Sequence, residues 1–153
     1  AVLCPQSIDE YEELVSEVRA LDIPISIGLV HDEEGRVAIQ GEPYLSAWEN
    51  FYAESGNFSA IEREYGSRLL RGETPDWHCR AGHRYIYVDE FGKDQYCASQ
   101  RGHLDRDLKE YTRADMLAAG AKKKACSTGC SIGCAYRWDL SPVNRSTSWA
   151  NIG

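Results

Sequence analysis

The chain has 153 residues, enough for one ordinary domain or two small ones. Its 42% hydrophobic and 27% charged residues suit a globular protein, and no apolar run approaches the roughly 18 residues of a membrane span. A net charge of −7 has the wrong sign for a broad nucleic-acid surface. The N-terminal AVLCPQSIDEYEE has neither the basic nor the apolar region of a signal peptide. The expected compartment is therefore the cytoplasm, where thiols stay reduced. Val2-Leu3-Cys4-Pro5 reads as the tail of a buried strand, and with no initiator Met the sequence reads as a fragment.

Residues 8–21 predict a helix, with Ser7 as cap, Glu10 completing a capping box, and Tyr11, Leu14, Val15, Val18 and Leu21 on one stripe. Asp22-Ile23-Pro24 ends it. The run Ile25–Val30 has the length and lack of charge of a strand buried on both faces. Residues 1–30 thus read as strand, helix, strand, one step of an α/β layer or barrel. His31-Asp32-Glu33-Glu34-Gly35 is a polar turn at the C-terminal end of that strand, where α/β folds favour ligand sites; a turn histidine is otherwise a solvated residue. Arg36–Ile39 suggests a small strand, and Gly41-Glu42-Pro43 breaks the chain. Tyr44–Glu54 and Phe58–Arg71 are predicted helices whose aromatic stripes read as packing. Gly72-Glu73-Thr74-Pro75 marks a boundary.

Beyond it, Tyr85–Val88 alternates and is rich in strand formers, Asp89–Gly92 is a turn, and Lys93–Cys97 returns as a second strand. Arg106–Ala119 predicts a helix capped by Gly120. Lys122, Lys123 and Lys124 read as a solvated helix end, or as charge that offsets a thiolate-bound group. Residues 138–153 carry little pattern and are expected to be loosely ordered.

Five of the six cysteines lie in this second part. Cys79 and Cys97 bracket the expected hairpin. Cys126, Cys130 and Cys134 follow as C-S-T-G-C-S-I-G-C, with Gly129 and Gly133 directly before the last two. Clustered thiolates beside turn-forming glycines suit an iron–sulfur cluster. Tetrahedral zinc would use the same ligands, although zinc sites usually contain close C-x2-C pairs, which are absent here. A disulfide framework is the third reading. Cys4 reads as a small core residue. His78 and His83 flank Cys79 as possible ligands or as neighbours that orient them. Arg80, Arg84 and Arg101 could donate to cluster sulfurs or to a substrate carboxylate.

The pattern C-x12-G-x4-C at Cys79, Gly92 and Cys97, within the stretch Tyr-Ile-Tyr-Val-Asp-Glu-Phe-Gly-Lys-Asp-Gln-Tyr-Cys, resembles the opening of the SPASM or twitch module of radical S-adenosylmethionine (SAM) enzymes. That module follows a partial barrel and holds auxiliary iron–sulfur clusters. The later run departs from the full pattern: it is C-x3-C-x3-C, and only the Cys130–Cys134 spacing matches. Six cysteines cannot hold two full clusters, so the resemblance implies a single [4Fe-4S] cluster on four of Cys79, Cys97, Cys126, Cys130 and Cys134. The barrel motif C-x3-C-x2-C is absent; SAM and a second [4Fe-4S] cluster would belong to the missing upstream barrel, and this chain would not cleave SAM. The implied fold is α+β: residues 1–43 the end of a partial TIM-like barrel, 44–74 a helical linker, 75–137 a small cysteine-rich hairpin module, and 138–153 the tail. The implied partner is a peptide or small-molecule substrate of the parent enzyme, with no nucleic acid and no membrane. The alternative is a structural zinc-binding or interaction module without a redox role.

Overall fold

The computed structural model describes residues 1–54 and 60–140, with the side chains of Cys134, Trp138 and Leu140 outside the description. The fold is mixed, α+β. Strand β1 (Val2–Leu3), helix α1 (Tyr11–Ala20) and strand β2 (Gly28–Leu29) form a βαβ unit, with β1 and β2 parallel and Leu3 opposite Leu29. The sequence predicts a longer strand over 25–30. The ladder is short because its partner β1 offers only two residues, extended by one bond from the Val30 amide to the Leu3 carbonyl. Helix α1 starts three residues later than expected. The Ser7 hydroxyl turns back to the carbonyls of Val2 and Cys4, so the expected capping box with Glu10 does not form. Cys4 is only half-buried, against Ser7, rather than a core residue.

Gly41, at φ +107°, makes the break before helix α2 (Glu42–Glu54), which accommodates Pro43 in its first turn. Helix α3 (Ala60–Leu70) packs against α2. The expected start of α3 at Phe58 lies outside the described residues. Gly66 lets the two helices approach: the indole of Trp48 occupies the space a β-carbon would need, and its Nε1–H donates to the Arg63 carbonyl at 2.9 Å. Leu3, Tyr11, Val15, Leu29, Ile39, Trp48, Phe51 and Leu70 form the first hydrophobic core. Burying side chains of this size contributes about 1.5–3 kcal/mol each, so the aromatic stripes on α2 and α3 serve packing.

The second part is built on a three-stranded antiparallel sheet. Strand β3 (Tyr87–Val88) pairs with β4 (Lys93–Gln95) across a turn closed by Gly92 at φ +76°, and β4 pairs with β5 (Arg106–Asp107). Asp89 organises that turn by accepting the amides of Phe91 and Lys93 on Oδ1. The expected helix over 106–119 is corrected at its start. Sheet pairing takes Arg106 and Asp107 into β5, and helix α4 (Arg113–Ala121) begins after a Thr112–Asp115 capping box. Gly120 is not a cap but a contact: it lies in α4 under the ring of His83, where a β-carbon would meet the His83 Cβ at 2.9 Å. A second core forms around Cys79, Ala81, Tyr96 and Ala119.

Helix α5 (Gly133–Leu140) packs on α3. The expected loosely ordered tail is therefore helical over 138–140, and residues 141–153 lie outside the described residues. Tyr65 on α3 stacks on Tyr136 at 3.8 Å and 14°, and Trp77 meets both rings edge-on. This aromatic trio joins the two parts. No described helix is long and apolar enough to cross a membrane.

Candidate metal centre

Four cysteines come from three pieces of chain: the Cys79 stretch, the Cys97 stretch and the loop that carries Cys126 and Cys130. Cys79 precedes the bridge between Ala81 and Tyr85. Cys97 follows β4 and leads into a 3-10 turn at Ala98–Gln100. Cys126 sits in a 3-10 turn at Ala125–Ser127, and Cys130 pairs with Arg36 in an isolated antiparallel bridge. Cys79, Cys97 and Cys130 are buried and Cys126 is half-buried; all four are free thiols. The side chain of Cys134, the fifth expected ligand, lies outside the described residues.

These four thiols feel one another electrostatically. Burial pushes the Cys97 thiol up to about 11, and charge on Cys126 or Cys79 pushes it the same way. Burial also raises Cys130, again reinforced by Cys126, Cys79 and Cys97. Cys79 and Cys126 are raised by burial as well. Without a cation the thiols are therefore held in their neutral form. Among the described residues, no three His, Cys, Asp or Glu side chains form a group that could hold a metal ion.

Backbone amides oppose the effect of burial. The Ile132 N–H donates to Cys130 Sγ at 3.4 Å. The amide of Ala81 faces the Cys79 sulfur, and those of Ser99 and Gln100 face Cys97, each favouring thiolate. In all three cases an amide two residues after the cysteine is aimed at its sulfur. Hydrogen bonds to the charged form lower a pKa, and hydrogen bonds to sulfur tune an iron–sulfur centre.

Lys124 is the largest departure from expectation. It is buried, only 7% exposed, rather than a solvated helix end. Its Nζ donates to the carbonyls of Ala119 at 2.6 Å, Cys79 at 3.2 Å and Lys122 at 3.2 Å, and lies 4.7 Å from the centre of the Tyr96 ring. Burial lowers its pKa, while Cys79, Cys126 and Cys97 act to raise it. Three equivalent lysines in a row gave no sign of which one turns inward.

The polar turn after β2 closes the other side. Gly35 adopts φ +82°, and its carbonyl accepts the Ser131 amide at 3.1 Å. The Gly129 carbonyl accepts the Val37 amide at 2.7 Å. Gln100 donates to the Glu34 carbonyl at 3.0 Å, and the Arg36 charge partly opposes the rise that burial imposes on Cys126. The turn thus braces both the Cys97 and the Cys130 loops. Its position at a strand end was visible in the sequence, but its partners nearly one hundred residues away were not. His31 sits 3.5 Å from the Ser99 hydroxyl at the exposed edge.

The remaining charged candidates have structural roles. The His78 Nε2 lies 2.7 Å from the Gly120 carbonyl, so that nitrogen carries the proton, and His83 packs on Gly120. Arg80 and Arg84 pair with Asp139 on α5, and Arg101 pairs with Glu90 and Tyr87. Cys4 interacts with Ser7. No protein-family model matches this chain, and no curated protein or solved structure matches it.

Proposed function

We propose that the chain binds one auxiliary [4Fe-4S] cluster through Cys79, Cys97, Cys126 and Cys130, or with Cys134 in place of one of them. The observation that supports this reading is that four thiols from three stretches of chain lie near enough for Cys126 and Cys79 to act on the buried thiols, three of the four with an amide facing the sulfur. A cluster spreads its ligands around a core several ångströms wide, whereas zinc draws its sulfurs to about 2.3 Å of one atom. An iron–sulfur cluster supplies one-electron transfer or an iron to which substrate can bind. The chain's own residues position the sulfurs, exclude water and set the local charge.

The resemblance to radical SAM enzymes gives this reading its context. Residues 1–43 would be the end of a partial barrel, 44–74 a helical linker, and 75–137 a SPASM- or twitch-like hairpin module. The sequence lacks C-x3-C-x2-C, so SAM cleavage and its cluster are assigned to another part of a parent enzyme acting on a peptide or small molecule, in the cytoplasm. The test is anaerobic reconstitution with ferrous iron and sulfide. A brown chain absorbing near about 400 nm supports the proposal. A colourless chain that takes up zinc in equimolar amount supports the structural zinc module instead.

A further inference from the structure

We propose that the cavity between the unpaired edge of β2 and helices α3 and α5 binds a free α-amino acid with a large apolar side chain, its main chain held by the strand edge and its two charges by Glu62 and Arg137. The proposal is independent of the cluster reading.

Strand β2 has β1 as its one neighbour. In that register the amides of Gly28 and Val30 donate to the carbonyls of Ala1 and Leu3. The main-chain groups of Ile27 and Leu29 therefore lie on the other edge, where no described strand pairs with them. Leu29 is 6% exposed, and a buried main-chain amide or carbonyl without a partner is costly. This edge borders a cavity of about 410 Å³, lined by residues 26–29 and by α3 and α5. A cavity of that size holds a small ligand. Gly28 also lines it, and nothing stands within 4 Å of where a β-carbon at Gly28 would be.

The side chains around the cavity define what fits. Trp48, Tyr52, Tyr65 and Leu69 give it an apolar and aromatic wall, which suits a large apolar side chain. Glu62 and Arg137 bring opposite charges to the same cavity. Their nearest nitrogen and oxygen are 3.6 Å apart, beyond hydrogen-bond length. Both charges act on the Tyr52 phenol, so they reach the same wall. A carboxylate beside a guanidinium matches the ammonium and carboxylate of a zwitterion, and a guanidinium grips a carboxylate through two parallel donors. The Ile27 carbonyl and the Leu29 amide supply one further acceptor and donor for the same two groups. A neutral apolar ligand would leave these polar groups unmet. An internal residue of a peptide carries neither charge, so the ion pair favours the free amino acid.

Isothermal titration calorimetry of the full chain with L-leucine and L-phenylalanine tests this, beside glycine, phenylalaninamide and N-acetylphenylalanine. The two apolar amino acids are expected to bind with Kd below about 1 mM. Loss of the side chain or of either charge is expected to weaken binding about tenfold or more. Arg137→Gln is expected to weaken phenylalanine to the level of its amide while leaving the amide unchanged. Glu62→Gln is expected to do the same for phenylalanine and its acetyl form. General damage to the fold would weaken all ligands alike, and circular dichroism checks both variants. If either variant fails to fold, the two blocked ligands decide alone. No binding of either amino acid overturns the proposal, and so does equal binding of phenylalanine and its two blocked forms. Tighter binding of a blocked apolar tripeptide also overturns it, and assigns the strand edge to an extended peptide. The titrations use no iron or sulfide, so their failure leaves the cluster reading standing, and a failed reconstitution leaves this proposal standing.

Discussion

The hydroxyl of Tyr65 donates a 2.8 Å hydrogen bond to the main-chain oxygen of Cys130, 65 residues further along the chain. Tyr65 is 2% exposed, and burial and the thiols of Cys130 and Cys79 hold its phenol protonated. A helix of the first core thereby fixes the backbone at the entrance to the cysteine loop. The aromatic stack of Tyr65 on Tyr136 and the edge of Trp77 complete the joint. The thiol group is thus held from outside its own segment.

Removing this hydroxyl isolates its contribution. Tyr65→Phe keeps the ring stack but leaves the Cys130 carbonyl without that partner in a buried setting. The expected loss is about 1–3 kcal/mol in urea unfolding. Reconstituted clusters are also expected to decay faster in air.

Gly66→Ala probes the first core without touching the thiols. The added methyl would enter the ring of Trp48. Backbone shifts in a packed helix pair cost about 1–3 kcal/mol or more, read as a lower denaturation midpoint with altered Trp fluorescence.

Asp94 is fully buried on β4, and neither carboxylate oxygen has a hydrogen-bond partner among the described residues. Burial raises its pKa, and Asp107 adds to the effect. The folded state therefore binds this proton more tightly than the unfolded chain. The resulting stability is fully present below the unfolded value, near about 3.9, and is lost as pH rises through the folded pKa. Asp94→Asn is expected to raise the thermal midpoint at pH 7 and to reduce the gain wild type shows on mild acidification. An unchanged pH profile would contradict this assignment.

Thiol reactivity should follow the same electrostatics. Thiolate is the reactive form. Burial holds Cys97 at about 11 and also raises Cys130, whereas the Ser7 hydroxyl lowers Cys4. In the metal-free chain, Cys4 is expected to be alkylated by iodoacetamide well before Cys97 and Cys130, as mapped by mass spectrometry. Faster labelling of Cys97 than of Cys4 would refute this ordering.

Local pattern carried much of the fold into the sequence. The α1 stripe of Tyr11 and Val15, the turn at Gly92 and the Gly41 break depend on neighbours a few residues away, so spacing and residue type reveal them. What the sequence concealed depends on distant partners. Arg106 and Asp107 look helical until β4 claims them. Ser7 looks like a cap until the β1 carbonyls take its hydroxyl. For the candidate site, residue type pointed to the cysteines, but the inward turn of Lys124 and the bracing by Gly35 and Gln100 arise from contacts across 45 to 96 residues.

The most direct test of the cluster reading is the iron and acid-labile sulfide content of the anaerobically reconstituted chain, measured beside a Cys97→Ala, Cys130→Ala double variant and a Cys4→Ala variant. The account expects roughly four iron and four sulfide per chain in wild type and in Cys4→Ala, and a loss of most of both in the double variant. Iron and sulfide bound equally by the double variant, or absent from wild type, would contradict it.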